Sequence, residues 1–493
     1  RREADDLVIF EVRYEVPLDQ CQIAVIRAPE IRAVTPRGIE FPGGILRVME
    51  AGCVINGDTP PPAQLVDQNF TITNRGADGY VIHRADQPLS SQQCNRLLHE
   101  SEDYLTAHLA ATPKVRDSWQ PMVSLCWWVL GNNTLRLGGA ADSRAVVPSK
   151  LGYVGLWQWD SYFIALGLRH GDRDLAREIM DLALAYPTGE GQLPDVVHEE
   201  GILASSRDLP ASDRETLLRQ GSPAPGLGSV PLTKPPLTAW VIHALYRSGA
   251  ISIADVRRWL PVTAASQDWW FRYCDPDGCG YPAYLHPYSS GLDDSPVFDA
   301  TLPVSTPDLG AYLVLQDQVL AELYTQLGDE NTADTHRNRA EVTCNQLLKT
   351  WDVAREQFRP APRTIVHLMP LLTGALPPQI HASLLRDLDD PKRFGAPYRL
   401  PTVAQDEPSF QPRRMWRGPV WVNTNYLVAD GLRRSGEHGR AERLELETIE
   451  LVLAAGGPYE YFEAATARPG DRATSCFGWS AALFVDLAVR HSA

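Results

Sequence analysis

A chain of 493 residues with 44% hydrophobic content is long enough for a large core or for several domains. Its net charge is −15 and no basic run of any length interrupts it, which argues against nucleic acid and anionic membranes as partners. No apolar stretch is long enough to span a membrane, and the opening Arg-Arg-Glu-Ala-Asp-Asp lacks the apolar core of a signal peptide.

Residues 1–88 read as strand-rich. Val8, Phe10, Val12, Tyr14 and Val16 alternate with mostly polar partners, and Cys21 to Ile26 is a short apolar run. Phe70-Thr-Ile-Thr and Tyr80-Val-Ile flank the turn residues Asn74 to Gly79, the pattern of a hairpin. Pro60 to Pro62 breaks the run. The expectation is a small β-domain, or a partial β-sandwich.

From residue 89 to 493 the period becomes helical. Ser90 to Ala111 is amphipathic, and Met122 to Leu130 is apolar nearly all round. An amphipathic helix, a glycine stop and another helix then recur, at Gly171, Gly249, Gly328 and Gly436. Glycine just past a helix end takes the left-handed conformation without a Cβ clash. Short links of this kind imply antiparallel helical hairpins, which must bury their apolar faces on each other. A closed α/α toroid and an open solenoid both satisfy that pattern.

The longer connections interrupt it. They are Tyr153 to Phe163, Gly189 to Asp195, Thr233 to Leu237, Tyr284 to Asp299, Met415 to Trp421 and Tyr459 to Glu463, rich as a group in Trp, Gly, Pro and carboxylates. In a toroid such loops gather at one mouth and line a pocket. The 13 tryptophans serve either as stacking platforms for sugars or as core filler. Asp293 and Asp294 lie among aromatic and apolar residues, where burial keeps a carboxyl protonated, as a general acid requires; the alternative is that both cap turns. Asp160 and Ser161 are good helix N-caps, or Asp160 accepts from sugar hydroxyls while Trp159 shapes the pocket. Trp416 and Trp421 surround Arg417 and Gly418, with Pro419 suited to a first helical turn; two core tryptophans at a helix start is the plainer account. Asp275 to Gly280 echoes a calcium loop but lacks the remaining ligands, and reads as a turn. There is no HExxH, phosphate-cradling glycine loop, GxSxG or Cys/His metal set. Eight scattered cysteines without a CxxC pair suit a reducing compartment, so the expected location is cytoplasmic.

The ordered set Trp157-Gln-Trp-Asp-Ser-Tyr-Phe163, Gly191-Gln-Leu-Pro-Asp195, Lys234-Pro-Pro-Leu237, Ser290-Gly-Leu-Asp-Asp-Ser-Pro296, Trp416-Arg-Gly-Pro-Val-Trp421, Glu460-Tyr-Phe462 and Phe477-Gly-Trp-Ser480 resembles glycoside hydrolase family 63. That family includes processing α-glucosidase I and bacterial hydrolases of mannosylglycerate and glucosylglycerate, and is related to the family 37 trehalases. The resemblance covers roughly residues 115–490. It implies an (α/α)6 barrel and an inverting mechanism, with Asp293 as general acid and Glu460 as general base. It implies a sugar pocket lined by Trp159, Asp160, Trp416 and Trp421; Trp157, Gln192, Lys234, Arg417 and Trp479 lie in the same motifs and complete the expected substrate-binding set. Two departures stand out. The usual Asn-Pro-x-Thr-Gly after the base reads Glu463-Ala-Ala-Thr-Ala467, and Lys234 stands where trehalases carry Gln. The expected protein is mainly α, a toroid after a small β-rich domain. It cleaves a small α-glucoside or related α-glycoside, with a small saccharide as partner and no cofactor or metal. A trehalase or rhamnosidase-like enzyme on the same barrel, or a non-catalytic carbohydrate-binding toroid, are the alternatives.

Overall fold

Short alternating strands and a later series of glycine-stopped helices fold into two compact units. The computed structural model describes every residue except 1, 4–5, 15, 17, 28–29, 36, 50, 58–59, 138–142 and 493, so three residues of the opening hexapeptide lie outside the described set. The first unit is Arg1–Thr112 with the short pieces Thr134–Arg136 and Lys150–Val154; the second is Pro113–Asn133, Leu137–Ser149 and Gly155–Ala493.

In the first unit the strands are β1 (Arg2–Glu3), β2 (Asp6–Phe10), β3 (Gln22–Arg27), β4 (Ala33–Thr35), β5 (Gly38–Phe41), β6 (Gly44–Met49), β7 (Gly52–Asn56), β8 (Ala63–Leu65), β9 (Phe70–Asn74) and β10 (Tyr80–Arg84). They form a four-stranded sheet, β1-β2-β3-β8, and a six-stranded sheet, β4-β5-β6-β7-β10-β9. Leu7, Ile23 and Ile26 of the first share a core with Phe41, Cys53, Ile55 and Ile82 of the second. The expected hairpin is present, Tyr80 facing Asn74 and Val81 facing Thr73. The strand expected through Val16 is shorter. It ends at Phe10, where its register against β3 slips.

Side chains alternate across a strand. Cys53 and Ile55 therefore face the shared core while Val54 faces away, as Val81 does beside Ile82. Helix α1 (Ser91–Ala110), opened by a Ser90–Gln93 capping box, covers that outer face with Cys94 and Leu98 against Met49, Val54 and Val81. The change of period at residue 89 thus marks a helix that belongs with the strands. The helical unit proper begins at Pro113.

The second unit holds α2 (Gln120–Asn132), α3 (Gln158–Leu168), α4 (Arg173–Ala183), α5 (Ala211–Arg219), α6 (Thr238–Arg247), α7 (Ile253–Tyr273), α8 (Pro307–Gln326), α9 (Glu330–Lys349), α10 (Pro378–Asp389), α11 (Val422–Arg434), α12 (His438–Ala455) and α13 (Gly478–Arg490). The glycine-linked pairs α3–α4, α6–α7, α8–α9 and α11–α12 pack as hairpins. Gly249, Gly328 and Gly436 take positive φ, as expected of helix stops; Gly171 does not. The first members of these hairpins also pack side by side: α3 on α6, α6 on α8, α8 on the 3-10 segment Met369–Thr373, that segment on α11, α11 on α13, and α13 back on α3. The order closes on itself. Every residue of α3 is buried, as befits a helix apolar nearly all round. Gly167 lets α3 and α13 approach backbone to backbone, since a Cβ there would lie 2.5 Å from the Cα of Ala482.

Candidate active site

The inner helices bring their N-termini to one end. Trp159 and Asp160 sit in the first turn of α3, Lys234 just before α6, Asp293 in the loop ahead of α8, Trp421 at the N-cap of α11, and Trp479 in the first turn of α13. Helix N-termini carry partial positive charge, which favours carboxylates gathered there.

The loop bearing Asp293 is held by its own short side chains. The Tyr288 N–H donates to His286 Nδ1 (3.2 Å), Ser290 Oγ–H to the Pro287 carbonyl (2.6 Å), and the Leu292 N–H to Ser290 Oγ (2.9 Å). At Gly291 the chain turns with φ +71° directly over the Trp159 ring, where a Cβ would come within 2.2 Å. Only glycine permits both that dihedral and that approach.

Two residues on, the adjacent aspartates part company. Asp294 is committed: its Oδ1 accepts from the Trp416 N–H (2.9 Å) and its Oδ2 from Arg414 Nε (3.0 Å). Burial raises its proton affinity, and these donors oppose the rise. Asp293 keeps partial exposure, yet its Oδ1 is sealed from solvent without a hydrogen-bond partner. Burial pushes its carboxyl well above the usual range; Lys234 opposes this, and Asp195, Asp294 and Asp213 add to it. Burial of this kind makes a carboxyl bind its proton more tightly than it would in water.

Lys234 is a buried cation paired with Asp195 at 2.9 Å. Burial raises Asp195 to about 6, with Lys234 opposing. Burial likewise pushes Asp160 well above the carboxylate range; Lys234 lowers it, and Asp195 and Glu460 raise it. Asp160 thus lies within electrostatic reach of both Lys234 and Glu460, and links the two halves of the cluster.

Glu460 is buried in the loop between α12 and α13. Its N–H donates to the Thr474 carbonyl (2.8 Å), and the Thr474 N–H donates to its Oε2 (3.0 Å). Phe462 pairs with Val420 as an isolated antiparallel bridge, tying this segment to the one that carries Trp416 and Trp421. Of the six non-glycine residues with positive φ among the described residues, Leu400, Met415, Ala467, Arg472 and Cys476 lie in these loops. Such dihedrals persist where surrounding contacts over-determine the backbone, often at functional sites.

The aromatic residues form one cluster. Trp416 and Trp421 stack with centroids 3.6 Å apart; Trp159 lies 6.1 Å from Trp416 and 5.3 Å from Trp479; Trp421 lies 4.7 Å from Tyr461. Trp159, Trp416, Trp421 and Trp479 are all nearly buried, so they build the wall more than its surface, while Trp157 retains exposure.

Two expected ligand-binding residues are spoken for. Arg417 makes a two-pronged pair with Asp299 (2.6 and 3.0 Å), fastening the Trp416 loop to the Asp293 loop. The Gln192 amide donates to the carbonyls of Ala204 (2.8 Å) and Leu232 (2.7 Å), leaving only its Oε1 for a ligand. Asp195, Gln158, Asp213 and Tyr461 also belong to the cluster, although none is in the set expected from sequence. Asp195 ends one of the motifs quoted above, and its carboxylate was the available signal. Asp213 stands in the first turn of α5, and burial raises it to about 6; nothing local marks it. Asp275 accepts from the N–H groups of Cys279 (3.1 Å) and Gly280 (2.6 Å), an ordinary turn. Among the described residues no group of three or more His, Cys, Asp or Glu is set to hold a metal ion, and no helix is long and apolar enough to cross a membrane.

A depression of about 590 Å³ lies elsewhere, lined by Arg169, Arg247, Arg433 and Arg434 at the C-terminal ends of α3, α6 and α11, with Trp240 from the first turn of α6. Arginines there offset the negative ends of the helix dipoles, and the carboxylate cluster remains the better candidate for chemistry.

Residues 153–480 match the mannosylglycerate hydrolase MGH1-like glycoside hydrolase domain. The mannosylglycerate hydrolase of Thermus thermophilus is 30% identical over 413 residues, 68% of this chain and 95% of that protein. The glucosylglycerate hydrolase of Mycolicibacterium hassiacum is 26% identical over 417 residues, 68% and 92%. The crystal structure of a GH63 mannosylglycerate hydrolase from Thermus thermophilus in complex with glucose superposes with a TM-score of 0.60 at 25% identity, covering 74% of this chain and 98% of that one. Fold and comparisons together define a glycoside hydrolase. The chain belongs to the MGH1-like domain family within glycoside hydrolase family 63.

Proposed function

We propose that the second unit is an (α/α)6 barrel that hydrolyses a small α-glycoside, an α-mannosyl or α-glucosyl glycerate, with inversion. The observation that carries this reading is the contrast between neighbours: Asp294 is spent on the Trp416 loop, while Asp293 keeps a sealed carboxyl oxygen with no partner beside four charged groups. In this reading Asp293 protonates the glycosidic oxygen. Glu460, fixed by Thr474, takes the proton of a water on the opposite face of the sugar. Asp160 holds sugar hydroxyls over the Trp159 wall. An inverting pair needs about 6.5–9.5 Å between its carboxyl groups, which leaves room for that water. The glycerate aglycone follows from the relatives, two of which are a mannosylglycerate and a glucosylglycerate hydrolase.

The test is a hydrolysis screen over mannosylglycerate, glucosylglycerate, trehalose and kojibiose, with proton NMR of the earliest product. An α-glycoside should release the β-anomer before mutarotation. Release of the α-anomer refutes inversion, and turnover confined to trehalose or kojibiose refutes the aglycone.

A further inference from the structure

The cluster around Asp293 holds carboxylates from four separate segments, Asp160, Asp195, Asp213 and Asp293, with one buried ammonium among them. That ammonium, Lys234, reaches in two directions at once. Its Nζ pairs with Asp195 at 2.9 Å and donates to the carbonyl of Tyr288, in the Asp293 loop, at 2.6 Å. The backbone on either side repeats the connection. The Thr233 N–H donates to Ser289 Oγ (3.3 Å), and the Lys234 N–H donates to Gln158 Oε1 (3.1 Å). The Gln158 N–H in turn donates to the Asp195 carbonyl (3.0 Å), and the Asp195 N–H donates to the Leu203 carbonyl (2.8 Å). Three segments remote in sequence are thus knotted beneath the loop that presents Asp293.

We propose that Lys234 is a positioning residue for Asp293 rather than a ligand for the sugar: it ties the Tyr288 carbonyl to Asp195, fixing the height of the loop, and it places a positive charge beside the acid. The inference rests on Asp293 being the general acid. Its Nζ already serves two partners, and the side chain is only 5% exposed. The charged groups that weigh most on Asp293 are Lys234, Asp195, Asp294 and Asp213; those that weigh most on Lys234 are Asp195, Asp293 and Asp160. A buried ammonium favours the ionised form of a nearby carboxyl, so it keeps Asp293 able to give its proton away as well as to hold it.

The charge and the tether make separable predictions. Lys234→Gln removes the charge, and its shorter side chain gives up the bridge from Tyr288 to Asp195; without the charge Asp293 should hold its proton to higher pH, so the alkaline limb of kcat/KM should move up. Asp195→Asn removes a neighbouring negative charge, so the same limb should move down. Loosening the loop should cut kcat about 10²-fold in Lys234→Gln, the penalty for a misplaced catalytic group, with little change in KM. Lys234→Arg restores the charge and should return the limb toward its native position. Should Lys234→Gln fail to fold, the double variant with Asp195→Asn, which leaves no unbalanced buried charge, is read instead; it should fold, with lowered kcat and a limb near native. Limbs unmoved in the single variants, a loss confined to KM, or native kcat in the double variant overturns the proposal. Asp293→Asn assayed on a glycosyl fluoride, whose leaving group needs little protonation, tests the underlying assignment separately. Retained fluoride hydrolysis with lost glycoside hydrolysis upholds Asp293 as the acid whatever the Lys234 variants do; loss of both overturns that assignment and the proposal resting on it.

Discussion

Gly291→Ala strikes the contact that seats the Asp293 loop. The residue has φ +71°, and an added Cβ would lie 2.2, 2.4 and 2.6 Å from three atoms of the Trp159 ring. That ring has no room to swing, being packed by Trp416, Trp479 and Phe163 at centroid distances of 6.1, 5.3 and 5.9 Å. A left-handed dihedral costs a non-glycine residue about 1–2 kcal/mol, and forced overpacking adds about 1–3 kcal/mol. The sum, about 2–5 kcal/mol, is tolerable for a domain stable by about 5–15 kcal/mol, so the variant should fold with its loop displaced. Gly249→Ala is the matched control: φ is again +71°, but nothing lies within 4 Å of its added Cβ. It should lose only the dihedral part, about 1–2 kcal/mol, and keep native turnover. Urea denaturation and steady-state kinetics on both variants read the two effects. Gly291→Ala should lose about 10²-fold in kcat beyond its stability cost. Equal stabilities and native kcat in both would refute the seating of the loop on Trp159.

Asp293→Asn should lower kcat by about 10²–10⁴-fold with little change in Tm. Asp294→Asn should instead lose stability, about 1.5–3 kcal/mol for each charge-assisted bond to Arg414 and the Trp416 N–H; a reversed pattern in kinetics and thermal melts would exchange the two roles. Asp486 is buried beside Arg169 (2.6 Å), His170 (2.8 Å) and Arg490 (2.8 Å). Burial works against its charge, but these partners outweigh it and hold it well below the usual range. Its contribution is therefore present above the unfolded pKa and lost as pH falls through the folded one, and Asp486→Asn should cost about 3–5 kcal/mol in urea melts at neutral pH. Asp308 runs the other way. Burial raises it from 3.8 to about 6, so the folded state binds the extra proton and stability falls as pH rises across that interval. Asp308→Asn should flatten that slope, worth roughly 3 kcal/mol, in urea midpoints measured from pH 4 to 7. Ala467 takes φ +60° where the related motif carries glycine. Ala467→Gly should raise stability by about 1 kcal/mol, the relieved strain less the extra freedom of the unfolded chain; a fall in urea midpoint would count against strain there.

By itself the sequence determined what depends on local chemistry. Helical period, glycine stops and short links specify hairpins because each of their contacts lies within a few tens of residues. The hairpins at Gly249, Gly328 and Gly436 follow from that, as does the β9–β10 pairing. The motif loops were legible because Trp, Gly, Pro and paired carboxylates interrupt the period. Tertiary structure alone decided how those loops are used. Asp293 and Asp294 are identical neighbours; what separates them is Arg414 and the Trp416 N–H, brought in from more than a hundred residues away. Arg417 looks like a ligand-binding arginine until Asp299 claims it, and Gln192 like a sugar-binding amide until two backbone carbonyls do. Helix α1 carries a helical period, but its Cys94 and Leu98 find their apolar partners on the sheet. A side chain's charge, proton and free hydrogen-bonding atoms depend on what surrounds it, and those surroundings are assembled from segments that only folding brings together.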